Sequence, residues 1–261
     1  MSADGRERIA TAFASHGRRA ALMPYLMGGF PDVEASRAVG EAAADAGADL
    51  LELGIPFSDP LADGPVIHAA GTHALRAGVT PGDVLGVCES LAERLPVVLM
   101  VYANLVLAGG ADGFVERAAA SGAAGLIVPD LPHDEAAELR AACEERGLAL
   151  VPLVAPTTTP ERLRAVGADA RGFVYTVSLT GTTGERDELP ADLPGTVERV
   201  RAATDVPVAV GFGIARAEQA RRVGELADGV IVGSRLVRAA GDGGAAAVGR
   251  VVAELGDALA A

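Results

Sequence analysis

The chain has 261 residues, half of them hydrophobic, and a formal net charge of −13 at pH 7. This length can bury a large core, and the acidic balance argues against broad binding to nucleic acids or anionic membranes. All 22 basic residues are arginine, and the chain contains no lysine. Arginine is too basic to act as an amine nucleophile, so a lysine Schiff base, with a substrate or with pyridoxal phosphate, is excluded.

The N-terminus, MSADGRERIATAF, lacks the apolar centre of a signal peptide. The longest uncharged run, 95–111, contains a proline and two glycines and is too short to span a membrane. We therefore expect a cytoplasmic protein. The two cysteines and four histidines show no metal-ligand spacing, and we expect no metal site; they are Cys88, Cys143, His16, His68, His73 and His133.

Along the chain, eight short apolar runs alternate with Ala-, Glu- and Arg-rich segments that have helical spacing. Continuous apolar runs are typical of strands that are buried on both faces. The expected strands are 20–27, 48–54, 96–103, 125–129, 148–154, 172–177, 206–211 and 228–232. The clearest expected helices are 33–46, 111–121, 134–146 and 215–225.

Turn signals separate these units. Thr159 before Pro160 predicts the N-cap of a helix. The glycines that suit helix C-caps or tight turns are Gly47, Gly122, Gly167 and Gly229. Eight strand–helix units predict an α/β fold of the (β/α)₈ TIM-barrel class, with residues 1–261 forming a single domain. A doubly wound sheet is the alternative, although no GxGxxG follows the first strand.

Polar residues collect where the expected strands end, which is where TIM barrels carry their active sites. Glu52 lies within the second strand, and Asp63 lies in the proline-rich loop that follows it. Asp130 ends the fourth strand, where a capping or loop-holding role is the simplest reading. The three tyrosines of the chain fall in strands 1, 3 and 6 and are Tyr25, Tyr102 and Tyr175.

Six segments lie in order at the expected strand ends: LELGIPFSDPLADGPVI, VYANLV, VPDLP, SLTGTTGER, VGFGI and VGS. Together they resemble the α subunit of tryptophan synthase over essentially the whole chain, and the first segment is the most specific. The resemblance implies retro-aldol cleavage of indole-3-glycerol phosphate to indole and glyceraldehyde 3-phosphate. It also implies an α₂β₂ heterotetramer whose β subunit carries pyridoxal phosphate, with no cofactor in this chain.

The resemblance implies that Glu52 is the catalytic glutamate and Asp63 the catalytic aspartate. The chemistry of these residues agrees. Cleavage requires protonation of indole C3 and then removal of a proton from the glycerol hydroxyl, and one carboxyl with a raised pKa can do both. Asp63 can accept the indole N–H and stabilise the developing positive charge. The alternatives are a buried hydrogen-bond network for Glu52 and a turn cap for Asp63.

Glycine-rich segments follow the last three expected strands, where barrels commonly bind phosphate through backbone N–H groups and a helix N-terminus. The resemblance implies phosphate binding by Gly184, Gly213, Gly233 and Ser234. It also implies substrate contacts from four more residues, which are Tyr102, Tyr175, Thr183 and Phe212. For a single glycine the alternative is a tight turn, and for either tyrosine it is a place in the core.

Residues 178–190 form a long polar loop after strand 6, and the resemblance implies a mobile lid in which Thr183 assists closure. On composition alone, a surface loop without that function is the alternative. Leu179 departs from the arginine that some members carry. In the loop after strand 2, we expect Pro56 and Asp59 to contact the β subunit, although Asp59 also suits a turn.

Three other functions remain open at this point. A stand-alone indole-glycerol-phosphate lyase would share the same active site. A barrel that mainly binds and regulates a partner would show negligible turnover even with that partner. A different sugar-phosphate enzyme would fail to cleave indole-glycerol phosphate.

Overall fold

The computed structural model describes residues 4–177, 189–211 and 213–260. Seven of the eight expected strands each correspond to one strand segment, whereas 148–154 divides in two around Pro152, which has no N–H to donate to a neighbouring strand. The segments are β1 Ala21–Met27, β2 Leu51–Gly54, β3 Val97–Met100, β4 Gly125–Ile127, β5 Ala149–Leu150, β6 Leu153–Val154, β7 Val174–Val177, β8 Val208–Gly211 and β9 Gly229–Val232.

All paired strands run parallel, in the order β5-β4-β3-β2-β1-β9-β8-β7-β6. The strands at the two ends of this order, β5 and β6, are consecutive pieces of one extended segment. The sheet therefore closes on itself through that segment and forms a barrel. This confirms the expected TIM-barrel class, and the doubly wound alternative is wrong.

Helices follow the strands as expected, and a 3₁₀ turn, His133–Glu135, precedes the helix predicted at 134–146. The Thr159 side chain accepts a hydrogen bond from the N–H of Arg162, which confirms the predicted N-cap. The helices are α1 Gly5–Ser15, α2 Val33–Asp45, α3 Pro65–Arg76, α4 Pro81–Ala92, α5 Ala103–Leu107, α6 Ala111–Ala120, α7 Ala137–Glu145, α8 Pro160–Asp169, α9 Leu193–Arg201, α10 Ala217–Gly224 and α11 Ser234–Ala260.

Two of the four predicted turn glycines follow helix ends. Gly47 and Gly122 come after α2 and α6 with φ angles of 93° and 75°, in the left-handed region. The other two predictions are wrong, because Gly167 lies inside α8 and Gly229 begins β9. A Cβ at Gly167 would lie 1.9 Å from the carbonyl oxygen of Ala203, so this glycine permits close packing and makes no turn.

The core has two layers. One fills the barrel interior and includes Met23, Val98 and Phe173, and the other packs the strands against the surrounding helices. Helix α1 covers the N-terminal end of the barrel, where Ile9 is fully buried and the Phe13 ring lies 5.6 Å from that of Phe173. The C-terminal end remains for the site. Among the described residues, no helix combines the length and apolar character needed to cross a membrane.

Candidate active site

Glu52 points into the barrel interior from the middle of β2. Its Cα pairs with Tyr25 of β1 and with Val98 of β3, and neighbours in parallel strands share one face. Val98 belongs to the interior layer, so Glu52 faces the same space. The side chain is only 1% exposed, and within the described residues neither carboxyl oxygen has a hydrogen-bond partner. This local geometry does not support the hydrogen-bond network considered as an alternative.

Burial, with a smaller contribution from the nearby charge of Asp63, raises the pKa of the Glu52 carboxyl from 4.5 to about 8. Desolvation disfavours the charged form of an acid. A carboxyl that titrates near neutral pH can both give and accept a proton under ordinary conditions. Glu52 therefore has the properties that an acid–base catalyst requires.

Asp63 is held by Tyr102 at the open end of the barrel. The Tyr102 hydroxyl donates to Oδ1 of Asp63 over 3.0 Å and accepts from the backbone N–H of Ala62 over 3.1 Å. Burial raises the pKa of Asp63, while the Tyr102 hydrogen bond and the charge of His68 oppose that rise. The ring of Phe57 stacks on Tyr102 with centroids 5.0 Å apart. The loop after β2 is thus fastened to the end of β3.

A cleft with an empty volume of about 580 Å³ opens above these strands. Five predicted site residues line it: Asp63, Tyr175, Gly213, Gly233 and Ser234. Glu52 and Tyr102 do not line it directly; Glu52 lies deeper, beside Tyr25, and Tyr102 reaches the site through Asp63. Of the predicted site residues, Thr183, Gly184 and Phe212 lie outside the described residues, as does 178–188 of the predicted lid.

The sequence placed Tyr25 among the polar residues at the strand ends without assigning it a role, and it assigned no role to the apolar residues of the cleft. Ile67, Met100 and Ile231 provide apolar walls suited to an aromatic ring, and Tyr25 adds a hydroxyl. Tyr25 and Ile231 lie on interior-facing positions of their strands. The two-residue alternation of strands was the signal that could have identified them, but continuous apolar runs do not reveal which residues face inward.

Helix α11 begins at the cleft. Gly233 and Ser234 line the cleft, and the N–H groups of Leu236 and Val237 bond back to the carbonyl of Gly233. The first N–H groups of a helix carry partial positive charge and attract phosphate. Gly213, on the neighbouring loop after β8, has a φ of 84°. These described glycines thus occupy the cleft rim beside a helix N-terminus.

Two residues predicted to contact a partner differ in accessibility. Asp59 is exposed and accepts a hydrogen bond from the Ser58 hydroxyl, whereas Pro56 is buried. Pro56 therefore shapes the loop from within and presents no surface of its own. Asp130 does not line the cleft; its Oδ1 accepts from the N–H of Ala103 over 2.8 Å, at the start of α5. This is the loop-holding role that the sequence suggested for it.

A second cavity, with an empty volume of about 940 Å³, lies between the β4 loop and helices α7 and α8. It is larger than the cleft but contains neither Glu52 nor Asp63. Three of the ionisable side chains in it contact one another, with Asp169 lying 3.3 Å from His133 and 3.2 Å from Arg140. We therefore assign the chemistry to the smaller cleft.

Comparison with known proteins gives one consistent family. A family model described as tryptophan synthase alpha chain matches residues 12–255. The tryptophan synthase alpha chain of Carboxydothermus hydrogenoformans is 48% identical over 234 residues, 88% of each chain. That of Synechococcus sp. is 48% identical over 261 residues, 98% of this chain and 96% of the relative.

Solved structures agree with this match. A structure of Mycobacterium tuberculosis tryptophan synthase superimposes with a TM-score of 0.91 at 43% identity and covers 97% of this chain and 98% of that chain. A structure described as the tryptophan synthase a2b2 complex of Pyrococcus furiosus gives a TM-score of 0.84 at 38% identity, over 91% and 98% of the two chains.

Proposed function

Because the chain belongs to the tryptophan synthase alpha chain family, we propose that Glu52 and Asp63 carry out the cleavage that defines it. The family reaction splits indole-3-glycerol phosphate into indole and glyceraldehyde 3-phosphate, and the chain is a lyase of tryptophan biosynthesis. The observation that carries the proposal is a fully buried glutamate with a pKa near 8, without a hydrogen-bond partner among the described residues, beneath a cleft that Asp63 lines.

Glu52 acts first as an acid and then as a base. Its proton goes to C3 of the indole ring, which turns the ring into an indolenine and weakens the bond to the glycerol chain. As that bond breaks, the carboxylate takes the proton of the glycerol hydroxyl and the aldehyde forms. Glu52 ends the reaction protonated, so a single carboxyl completes the cycle.

Asp63 stabilises the positive charge that C3 protonation creates. Its carboxylate accepts the indole N–H, and the negative charge favours the indolenine cation. Tyr102 holds Asp63 in place through its hydrogen bond, so we assign Tyr102 a positioning role in addition to the predicted substrate contact. Tyr175 lines the cleft at the side of β7 and contacts the indole or the glycerol chain.

The phosphate binds at the rim formed by Gly213, Gly233 and Ser234, where the N-terminus of α11 attracts it. Gly184, Thr183 and Phe212 complete this set in the proposal. Residues 178–190 close over the bound substrate as a lid on the single barrel domain. With a net charge of −13, the chain offers no long-range attraction, so these local N–H groups provide the affinity.

In this family the pyridoxal phosphate belongs to the β subunit, and we propose that this chain binds no cofactor and works within an α₂β₂ complex. Two large hydrophobic side chains support a docking surface at the open end of the barrel. Leu61, in the loop after β2, is 79% exposed, and Leu107, in the helix after β3, is 54% exposed. Asp59 lies on the same loop as Leu61. A β subunit bound there would hold Asp63 in the position that cleavage requires and exclude water from the cleft.

The proposed location is the cytoplasm. Both cysteines, Cys88 and Cys143, are free and buried, as is usual where thiols stay reduced.

An indole-release assay with increasing β subunit tests these assignments. We expect weak cleavage by the chain alone and strong activation by the β subunit. Asp59→Ala should weaken the activation more than the basal rate, while the exposed control Asp112→Ala, on α6, should change neither. Full activity alone, with no response to the β subunit, would favour a stand-alone lyase. Negligible turnover even with the partner would favour a regulatory barrel.

A further inference from the structure

Tyr25 is a cleft residue that the roles of Glu52 and Asp63 leave without a function. It lies on β1, and its Cα pairs with that of Glu52 on β2, so both side chains face the barrel interior. It is 5% exposed and contributes to the floor of the cleft.

The Tyr25 ring leans along β2 towards the open end. A Cβ built on Gly54 would lie 2.1 Å from the Tyr25 hydroxyl oxygen, so only a glycine leaves room for that hydroxyl. Gly54 is two residues beyond Glu52 and therefore lies on the same face of β2. The phenol consequently lies over the side of Glu52 that faces the cleft.

The hydrogen-bonding needs of the two side chains are complementary. Within the described part of the chain, neither oxygen of Glu52 has a hydrogen-bond donor. Burial, followed by the charges of Asp63 and Glu52, raises the pKa of Tyr25 well above its usual value, so the phenol keeps its proton and remains a donor. A protonated Glu52 gains little from this donor, whereas a buried carboxylate is strongly stabilised by it.

We propose that Tyr25 is a positioning residue for Glu52, donating a hydrogen bond to its carboxylate once Glu52 has given its proton to the substrate. The inference rests on the role proposed for Glu52. The O–H bond of Tyr25 stays intact throughout. Glu52 loses a proton to indole C3 and regains one from the glycerol hydroxyl. Tyr25 stabilises the Glu52 carboxylate between these two proton transfers.

Two variants test the contact. Tyr25→Phe keeps the ring and removes the hydroxyl, and Gly54→Ala keeps the hydroxyl but displaces it. The direct measurement is the titration of Glu52 in the free chain by ¹³C NMR of labelled glutamate side chains, with Glu52→Gln identifying the signal. The second measurement is the pH dependence of single-turnover cleavage in the presence of the β subunit.

We expect Glu52 to titrate about one pH unit higher in both variants, because the donor to its charged form is lost or moved. Cleavage should fall about tenfold, and the affinity for glycerol phosphate should not change. The urea midpoint of Tyr25→Phe should match wild type, because the ring and its packing are kept.

An unchanged Glu52 titration in folded Tyr25→Phe would overturn the inference, whatever happens to turnover. Reduced cleavage with that unchanged titration would instead assign the hydroxyl to the substrate. A separate result would show that the proposed mechanism itself is wrong, namely that Glu52→Gln retains cleavage. The NMR titration does not depend on turnover, so it tests the Tyr25–Glu52 contact independently.

Discussion

Two carboxylates at the N-terminal end of the barrel, Asp49 and Asp228, are paired, whereas the buried carboxyl of Glu52 has no partner among the described residues. Asp49 accepts from the N–H of Leu22 over 2.7 Å and pairs with Arg18. Asp228 accepts from the N–H of Val208 over 2.8 Å and pairs with Arg201 over 2.7 Å. Both Asp49 and Asp228 therefore join a strand to its surroundings, whereas Glu52 has no partner in the described residues.

Under the proposed mechanism, this difference separates residues that stabilise the fold from the residue that transfers the proton. A carboxylate that is bonded to a backbone N–H and a guanidinium holds two parts of the fold together. A carboxyl that must give and take a proton cannot be held so firmly in one state, and desolvation then shifts its pKa towards neutrality. The N-terminal end of the barrel, which α1 closes, also carries Arg8, whose guanidinium donates to carbonyls at the C-terminal ends of α4 and α6.

The largest expected effect is the loss of cleavage in Glu52→Gln. The amide cannot supply or accept the required proton, so single-turnover indole release should fall by about 10³-fold. Circular dichroism and glycerol phosphate binding should match wild type, because the amide has nearly the same shape. Near-normal turnover by this folded variant would remove Glu52 from the acid–base role.

The same variant should differ from wild type in how its stability depends on pH. Unfolded Glu52 ionises near pH 4.5, whereas the folded protein keeps the proton up to about pH 8. Between these values the unfolded state binds fewer protons, so wild-type stability falls relative to Glu52→Gln as pH rises, by about 1.4 kcal/mol per pH unit.

Urea unfolding of both proteins across this range measures the difference. It should be small below pH 4.5, grow through the window and level off above pH 8. A difference that does not vary with pH would mean that Glu52 is not held protonated in the folded chain.

Asp63→Asn should reduce cleavage by about 10²-fold, because the charge opposite the indolenine cation is lost. Phosphate affinity should be retained. Asp49→Asn is the matched control at the closed end: it should lower stability and leave turnover of the folded protein unchanged. Equal losses of cleavage and phosphate affinity in Asp63→Asn would indicate general damage to the site.

Arg8→Met should lower the free energy of unfolding by about 2 kcal/mol, since its hydrogen bonds to helix-end carbonyls are lost. Indole release per folded molecule should not change. Urea unfolding and active-site titration measure the two quantities. A fall in turnover without a fall in stability would contradict the division between the two ends.

The smallest expected effect is that of Tyr102→Phe. The Tyr102 hydrogen bond lowers the pKa of Asp63, so its removal should raise that pKa. Because the proposed mechanism uses Asp63 as a carboxylate, the acid limb of the kcat/KM profile should move to higher pH, with a loss of less than about tenfold at neutral pH. An unmoved acid limb would show that Tyr102 does not set the charge of Asp63.

The sequence alone predicted the strands and the barrel class, and it pointed to the two carboxyls of the proposed mechanism, Glu52 and Asp63. Buried parallel strands are continuous apolar runs, so the barrel could be predicted from local pattern. Glu52 and Asp63 lie within one contiguous segment, so the sequence could predict that they belong to the same site. The division of the fifth strand followed from Pro152, but the pattern of apolar residues concealed it.

Only the tertiary structure decided which groups touch. Tyr102 reaches Asp63 from 39 residues away, and Asp130 caps α5 from 27 residues away. The lean of Tyr25 over Gly54 depends on strand register and on the space left by a missing Cβ. The absence of a partner for Glu52 among the described residues is likewise a property of everything packed around it, because desolvation is set by the surroundings and not by neighbours in the chain.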